Sequence, residues 1–391
     1  MPPATDRTVP KRGSLWKSEA FHRLLLVGGA CVFALLLFEM PALLNILDYH
    51  SLELTGVWGN PRFIRSVDPE LRHIQPPHAH YTGASQGGDI ESSYDVPAAN
   101  RTAYHWDLQY DWHGFRNPAD LHSAGIAMIG DSLIEGMTVP SPQIVSSLLA
   151  NLQGDVVANF GQFGYGPQQE LVVLKRYGLP LHPHTVVWLF SEGTDLSDAA
   201  GYRDLMRDPP GFWTFFVQRS FTRAVYHKIG QLLAPRKPPA IQRLGVVQTT
   251  GSPLEVYFSF PAHPLTAAER SGLEETRRAV ATAHQLAAAQ GARFVFVYGP
   301  EKFRAFRDFC KFPPESECRN WVLSDLPQVM RATITGISPD IGYLDLTPYL
   351  ADAVKRGVPP YYTDDCHWSP EGHRVTAEAI HEFLAHVTPA H

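Results

Sequence analysis

"AMIGDSLIEG" (127–136) ends an apolar run in Gly-Asp-Ser and places a second glycine, Gly136, four residues beyond Ser132. Glycine, aspartate and serine are common turn residues, so the triplet alone fits an ordinary polar turn. It fits equally well a buried strand that delivers a nucleophilic serine to the mouth of a helix. The rest of the chain must then supply a base, an orienting acid and oxyanion donors.

Working outward from this stretch, short apolar runs alternate with helical ones. "GIAMIG" (125–130), "DVVAN" (155–159), "HTVVWLF" (184–190), "ARFVFVY" (292–298) and "IGYLDL" (341–346) are rich in β-branched and aromatic residues and read as buried strands. Between them, "SPQIVSSLLANL" (141–152) and "PQQELVVLKRY" (167–177) read as helices. So does 265–291, where Thr266 and Glu269 have capping-box spacing and Gly291 sits at a C-cap position. A last helix over 369–387 opens with Ser369 and Pro370. This alternation predicts an α/β fold, a doubly wound parallel sheet with helices on both faces over residues 121–391. Such sheets bind ligands beyond the carboxyl ends of their strands.

The plausible catalytic letters all fall at those ends. Ser132 follows the first strand, Gly164 the second, and Thr194 and Asp195 the third. "DDCHWSPEGH" (364–373) lies between the fifth strand and the last helix, with Asp364 three residues before His367. A carboxylate there can hold the imidazole through Nδ1 and leave Nε2 to take a proton from Ser132. Ser132 at a helix mouth gains backbone N–H groups for a developing oxyanion.

These blocks resemble the SGNH (GDSL-type) hydrolases. "IGDSLIEG" is similar to their first block, "NFGQFGYGPQQE" (159–170) to the second and "DDCHWSPEGH" to the last, over about residues 112 to 387. "FVFVYGPEKFRAF" (294–306) resembles a segment of membrane-anchored members. The resemblance implies a three-layer α/β/α, flavodoxin-like fold and a serine esterase or O-acyltransferase working through an acyl-serine. Its catalytic set is Ser132, His367 and Asp364, with Ser132, Gly164 and the third-block residue at the oxyanion hole. That residue is asparagine in the family and Thr194 here, a shorter side chain with one donor. Family members that are anchored act on acetyl or other short esters of cell-surface carbohydrate, some beside an integral membrane acyltransferase. A different class of function, an SGNH-fold subunit with a binding or assembly role in a membrane complex, is favoured by Thr194 and by the long insertion. No metal or organic cofactor is implied.

The flanks set the compartment. Residues 1–23 form a short tail holding Arg7, Lys11, Arg12, Lys17 and Arg23 against Asp6 and Glu19. Residues 24–47 carry no charge except Glu39, and as a helix they rise about 36 Å, enough to span a bilayer core of about 30 Å. A cleaved signal peptide is the rival reading, but no small-x-small site follows the run. The charge asymmetry predicts a cytoplasmic N-terminus and a periplasmic main domain, on a bacterial inner membrane. A net charge of −6 gives no basic field for nucleic acid.

Two regions break the pattern. Residues 48–120 read as an irregular extension, whose His73, His78 and His80 lack the spacing of a metal site. Residues 201–262 form an insertion with the aromatic, basic run "GFWTFFVQRSFTRAVYHKIGQLLAP" (211–235). It is expected to pack on the main domain, the alternative being a lid or a membrane-facing helix. Beyond the anchor, Cys310 and Cys318 are close enough in sequence for a disulfide, leaving Cys366 over.

Overall fold

The computed structural model describes residues 19–44, 46, 47, 49, 68–207, 211–233, 236–248 and 253–386. Ten strands are defined in them: β1 (His80–Gln86), β2 (Ala103–Gln109), β3 (Ile126–Gly130), β4 (Val157–Gly161), β5 (Thr185–Ser191), β6 (Leu244–Val247), β7 (Leu254–Tyr257), β8 (Arg293–Gly299), β9 (Cys310–Lys311) and β10 (Gly342–Asp345). Five of them, in the order β10-β8-β5-β3-β4, make one parallel sheet. These are the five strands expected from the sequence, displaced by at most two residues.

Both faces of this sheet are covered, and the period-two alternation of the strands divides the core cleanly. Ala127, Ile129, Val186, Trp188, Phe190, Phe294, Phe296 and Tyr298 point into one apolar cluster. The helices Pro167–Val173, Asp195–Arg207, Ala267–Ala289 and Leu326–Thr335 close it. Their neighbours Ile126, Met128, Val187, Leu189, Val295 and Val297 point into the other cluster, under Val145–Gln153, Thr347–Lys355 and Pro370–His386. A strand buried on both sides has no polar face to show, which is why the runs read as continuously apolar. The result is the three-layer α/β/α architecture.

Helix ends follow their sequence signals. Thr266 Oγ1 accepts from the amide of Glu269, and the Glu269 carboxylate accepts from the amide of Thr266, closing the capping box. Gly291 adopts a left-handed φ of 73° just past the end of that helix. Asp131 caps the four-residue helix Ser132–Glu135 by accepting from the amide of Leu133 at 2.9 Å. That cap fixes Ser132 at the first helical position, immediately past the end of β3.

The extension is more ordered than its sequence suggested. β1 and β2 pair antiparallel from His80↔Gln109 to Gln86↔Ala103. Tyr104, Trp106 and Leu108 bury one face, while the intervening residues stay exposed. The connection over 87–102 is far longer than a hairpin turn, so no turn signal announced the pair. β6 carries β7 on one side and the two-residue β9 on the other. Cys310 and Cys318, close enough in sequence for a disulfide, are both free thiols.

The chain divides into two compact units. One consists of residues 54–209 and 235–391 and contains every strand. The other consists of residues 1–53 and 210–234. Its helix Glu19–Leu43 includes a stretch, Phe21–Leu43, long and apolar enough to cross a membrane. Helices Phe212–Arg219 and Phe221–Leu233 accompany it. The central part of the insertion therefore goes with the apolar helix rather than with the α/β layers, where the sequence reading had put it.

Candidate active site

The sheet order reverses at β3, whose neighbours β4 and β5 lie on opposite sides. This is the topological switch point, and the loops beyond β3, β4 and β5 open a crevice at the carboxyl edge. Ser132 stands at its centre. His367 Nε2 lies 2.9 Å from Ser132 Oγ. His367 Nδ1 lies 2.6 Å from Asp365 Oδ1, which also accepts from the His367 amide at 2.8 Å. Hydroxyl, imidazole and carboxylate thus form one continuous hydrogen-bonded relay.

The acid is the neighbour of the expected one. Asp364 faces the extension, with Oδ2 accepting from the amides of Gly88 and Thr102, both at 2.9 Å, and Oδ1 accepting from the Thr102 hydroxyl. Successive side chains in this loop diverge, so only one of the two aspartates can meet the ring. Donors contributed by residues 88–102 hold Asp364 and turn Asp365 inward. The other oxygen of Asp365 accepts from the Asp89 amide at 3.1 Å and the Tyr104 hydroxyl at 3.2 Å.

Electrostatics match this pairing. Burial opposes charge on both groups, but their mutual attraction and hydrogen bond outweigh it. The Asp365 carboxyl is held below the usual range. His367 is lowered by desolvation, then raised more strongly by Asp365, to about 9. Behind the nucleophile, Asp131, Glu170 and Asp195 are all buried, and desolvation pushes each of their carboxyls upward.

The two expected oxyanion contributors besides Ser132 lie in loops around the crevice. Gly164, with a left-handed φ of 72°, follows β4, and the amide of Gln162 in the same loop donates to the Gly130 carbonyl at 3.2 Å. The loop is fixed from below by Glu135, which accepts from the Phe163 amide at 2.6 Å and from the Tyr110 hydroxyl at 2.8 Å. From above, His73 Nε2 lies 2.8 Å from the Phe163 carbonyl. Thr194 follows β5, but its hydroxyl donates to Asp131 Oδ2 at 3.2 Å. A hydroxyl has one proton, so in this arrangement Thr194 braces the nucleophile's cap instead of facing an oxyanion.

Several supporting residues escaped the sequence reading. Lys302 is buried and its ammonium, with three N–H donors, lies within hydrogen-bond distance of four carbonyls, those of Tyr257, Tyr362, Thr363 and Asp365, at 2.6–3.1 Å. Desolvation lowers it to about 8. Arg116 donates to the carbonyls of Glu135, Gly136 and Val139, so "YDWHGFRNP" (110–118) wraps the turn that follows the nucleophile. A buried Lys or Arg bonded to carbonyls has no spacing signature.

Asp365, Cys366 and His367 bring donor atoms within 4.8 Å of one another, a spacing compatible with a metal ion. In this arrangement Asp365 and His367 are spent on each other and on Ser132. The extension's histidines are dispersed, His78 beside Asp120 and His80 beside Asp107.

Comparison with known proteins narrows the family. Residues 260–391 match the model of the SGNH hydrolase-like domain, acetyltransferase AlgX. The α/β unit has the SGNH hydrolase-like fold. The SGNH match takes in Asp365, His367 and Lys302; Ser132 and Gly164 lie outside it and join the site through the sheet. No curated protein matches the chain in sequence. Among solved structures, a lipolytic protein of the G-D-S-L family from Desulfitobacterium hafniense is similar at 13% identity, over 66% of this chain and 98% of its own, with a TM-score of 0.35. The lipase/acylhydrolase from Enterococcus faecalis gives 14% identity, 68% and 98% coverage and a TM-score of 0.34. An acetylxylan esterase from Geobacillus stearothermophilus gives 10% identity, 68% and 95% coverage and a TM-score of 0.36.

Proposed function

We propose that the protein is a membrane-anchored serine acyltransferase or esterase that moves acetyl or similar short acyl groups on cell-surface carbohydrate, with its α/β unit in the periplasm. The observation that carries this reading is the relay Ser132–His367–Asp365, assembled from loops 235 residues apart. The SGNH acetyltransferase match supports the acyl group, and the apolar helix with its basic N-terminal flank supports the location.

In this mechanism Ser132 Oγ attacks the ester carbonyl while His367 Nε2 takes its proton. Asp365 holds the Nδ1–H tautomer and stabilises the imidazolium. The N–H groups of Ser132 and Gly164 receive the oxyanion. His367 then protonates the departing alcohol, leaving an acyl-serine. An incoming hydroxyl, from water or from a sugar, gives its proton to Nε2 as it attacks, and the serine is released. Whether water or sugar arrives decides between hydrolysis and transfer, and both use the same residues.

The test is labelling of the full chain in detergent with a fluorophosphonate, together with turnover of an aryl acetate. Both should be present in the wild type and lost in Ser132→Ala. Equal behaviour of the two proteins would remove the enzymatic reading in favour of a binding role.

A further inference from the structure

The helix Glu19–Leu43 holds an acid near the end of its apolar stretch, and the structure gives that acid a partner. The Glu39 carboxylate accepts from the amides of Phe221 at 3.1 Å and Thr222 at 2.7 Å. Both are among the N-terminal amides that the helix Phe221–Leu233 leaves without intrahelical acceptors. Phe38 and Tyr49 pack on the Phe221 ring, with centroids 4.8 and 5.3 Å away. Ala42, one turn beyond Phe38, is buried. A carboxylate in an apolar span is costly unless it is paired. Here it satisfies two amides and sits at the positive end of a helix dipole.

That contact also fixes a depth. Glu39 lies four residues before Leu43, about 6 Å from the end of the helix. The second helix therefore starts where a membrane core gives way to headgroups. From there it presents Val225, Tyr226, Ile229 and Leu233 outward, spaced by about one turn on one face. Tyr226 and Leu233 are 77% and 79% exposed. The preceding helix adds Phe212, Trp213 and Val217, with Trp213 70% exposed. Residues 211–233 contain no acid, and Arg219, Arg223 and Lys228 supply positive charge. An aromatic and aliphatic face, with basic residues and no acidic ones, is the composition of a helix lying in a membrane interface.

We propose that residues 211–233 lie in the interface of the same bilayer that Glu19–Leu43 crosses, on the side where that helix ends, with Glu39 setting their depth. The occupant of the exposed face is lipid, because the face continues the apolar surface of the anchor with which it forms one unit. The inference rests on the anchor reading of that helix and is independent of the chemistry at Ser132. It also gives the periplasmic unit two attachments, one before residue 54 and one within the insertion.

The full chain is reconstituted into phosphatidylethanolamine and phosphatidylglycerol vesicles whose acyl chains carry bromine either near the headgroup or near the bilayer centre. Tryptophan emission is compared between wild type and Trp213→Phe, so that the difference reports Trp213 alone. Shallow bromines should quench that difference more than deep ones, by about twofold or more. A difference signal indifferent to bromine places Trp213 in water or under protein and overturns the proposal. Flotation separates the two ideas. If the vesicles float without the protein, the anchor reading falls and this one with it. If the protein floats but Trp213 is unquenched, only the interfacial placement falls.

Discussion

At Asp364 and Asp365 the structure separates two adjacent carboxylates by role. Asp365 touches the imidazole, while Asp364 binds the loop to Gly88 and Thr102. Asp365→Asn should lower turnover by about ten-thousandfold, since an amide cannot stabilise the imidazolium and favours the wrong tautomer. Asp364→Asn keeps one acceptor oxygen, so its cost should fall on stability, about 1–3 kcal/mol, with turnover reduced far less. Rates on one ester and urea midpoints of both variants check the pair; a larger rate loss in Asp364→Asn than in Asp365→Asn would reverse the assignment. The raised His367 makes a second prediction. Its Nε2 must be unprotonated to receive the serine proton, and its proton is held up to about 9. The value of kcat/KM should therefore climb with pH and level off near that value. The same shift has a stability consequence of opposite sign. The contribution is full below the unfolded imidazole value of about 6.5 and is lost as pH rises through about 9. Ser132 was legible because it stands just beyond a strand end in a recurrent block, and His367 because its block opens the last helix, although the helix Thr347–Lys355 separates it from β10. The choice of Asp365 was not, because donors near residues 88–104 make it. Thr194 was legible in position only, its hydroxyl direction being set by Asp131.

The central strands could be read to within two residues because a strand buried on both faces leaves a short, bounded apolar run. β1 and β2 could not. Half of each lies open to solvent, and a 16-residue connection replaces the turn that signals a hairpin. Yet β2 holds the relay's acid, Asp365, through Tyr104, and Thr102 just before it holds the neighbouring Asp364, which makes the extension part of the site. The site loop is held from the opposite side by Lys302, at the start of the helix Lys302–Phe306. Lys302→Met preserves much of the side chain's length and removes the charged donor shared by four carbonyls, of which that of Thr363 keeps the Tyr257 amide at 2.7 Å. Stability should fall by about 2–4 kcal/mol as buried acceptors lose a charged partner. Turnover should drop while KM changes little, because the lysine positions the Asp365 backbone without facing substrate. A rise in KM with turnover intact would show that Lys302 shapes the binding crevice instead.

For the whole molecule, sequence continuity misleads about which residues belong together. The segment 210–234 interrupts the α/β chain but forms a unit with residues 1–53. A chain lacking only residues 1–53 would keep Phe212, Trp213, Tyr226, Ile229 and Leu233 exposed and lose the helix they accompany. It would also lose Glu39, leaving two amides of the helix Phe221–Leu233 without their acceptor. An exposed apolar patch of this kind promotes association. This truncation should therefore need detergent, or elute as oligomers on size exclusion. A second chain, lacking residues 1–53 and with 210–234 replaced by a short Gly-Ser linker, removes the whole unit. It retains every strand, both core clusters and the relay at Ser132, and should be monomeric without detergent. If the proposed chemistry holds, its turnover on a soluble aryl acetate should match that of the full chain within about threefold, since no relay residue has been touched. If the proposed membrane attachments hold, activity on a membrane-delivered substrate should fall further, because both are gone. A soluble, monomeric first truncation would mean that the apolar face of 211–233 is covered without the helix Glu19–Leu43, and the two-unit division would lose its physical basis.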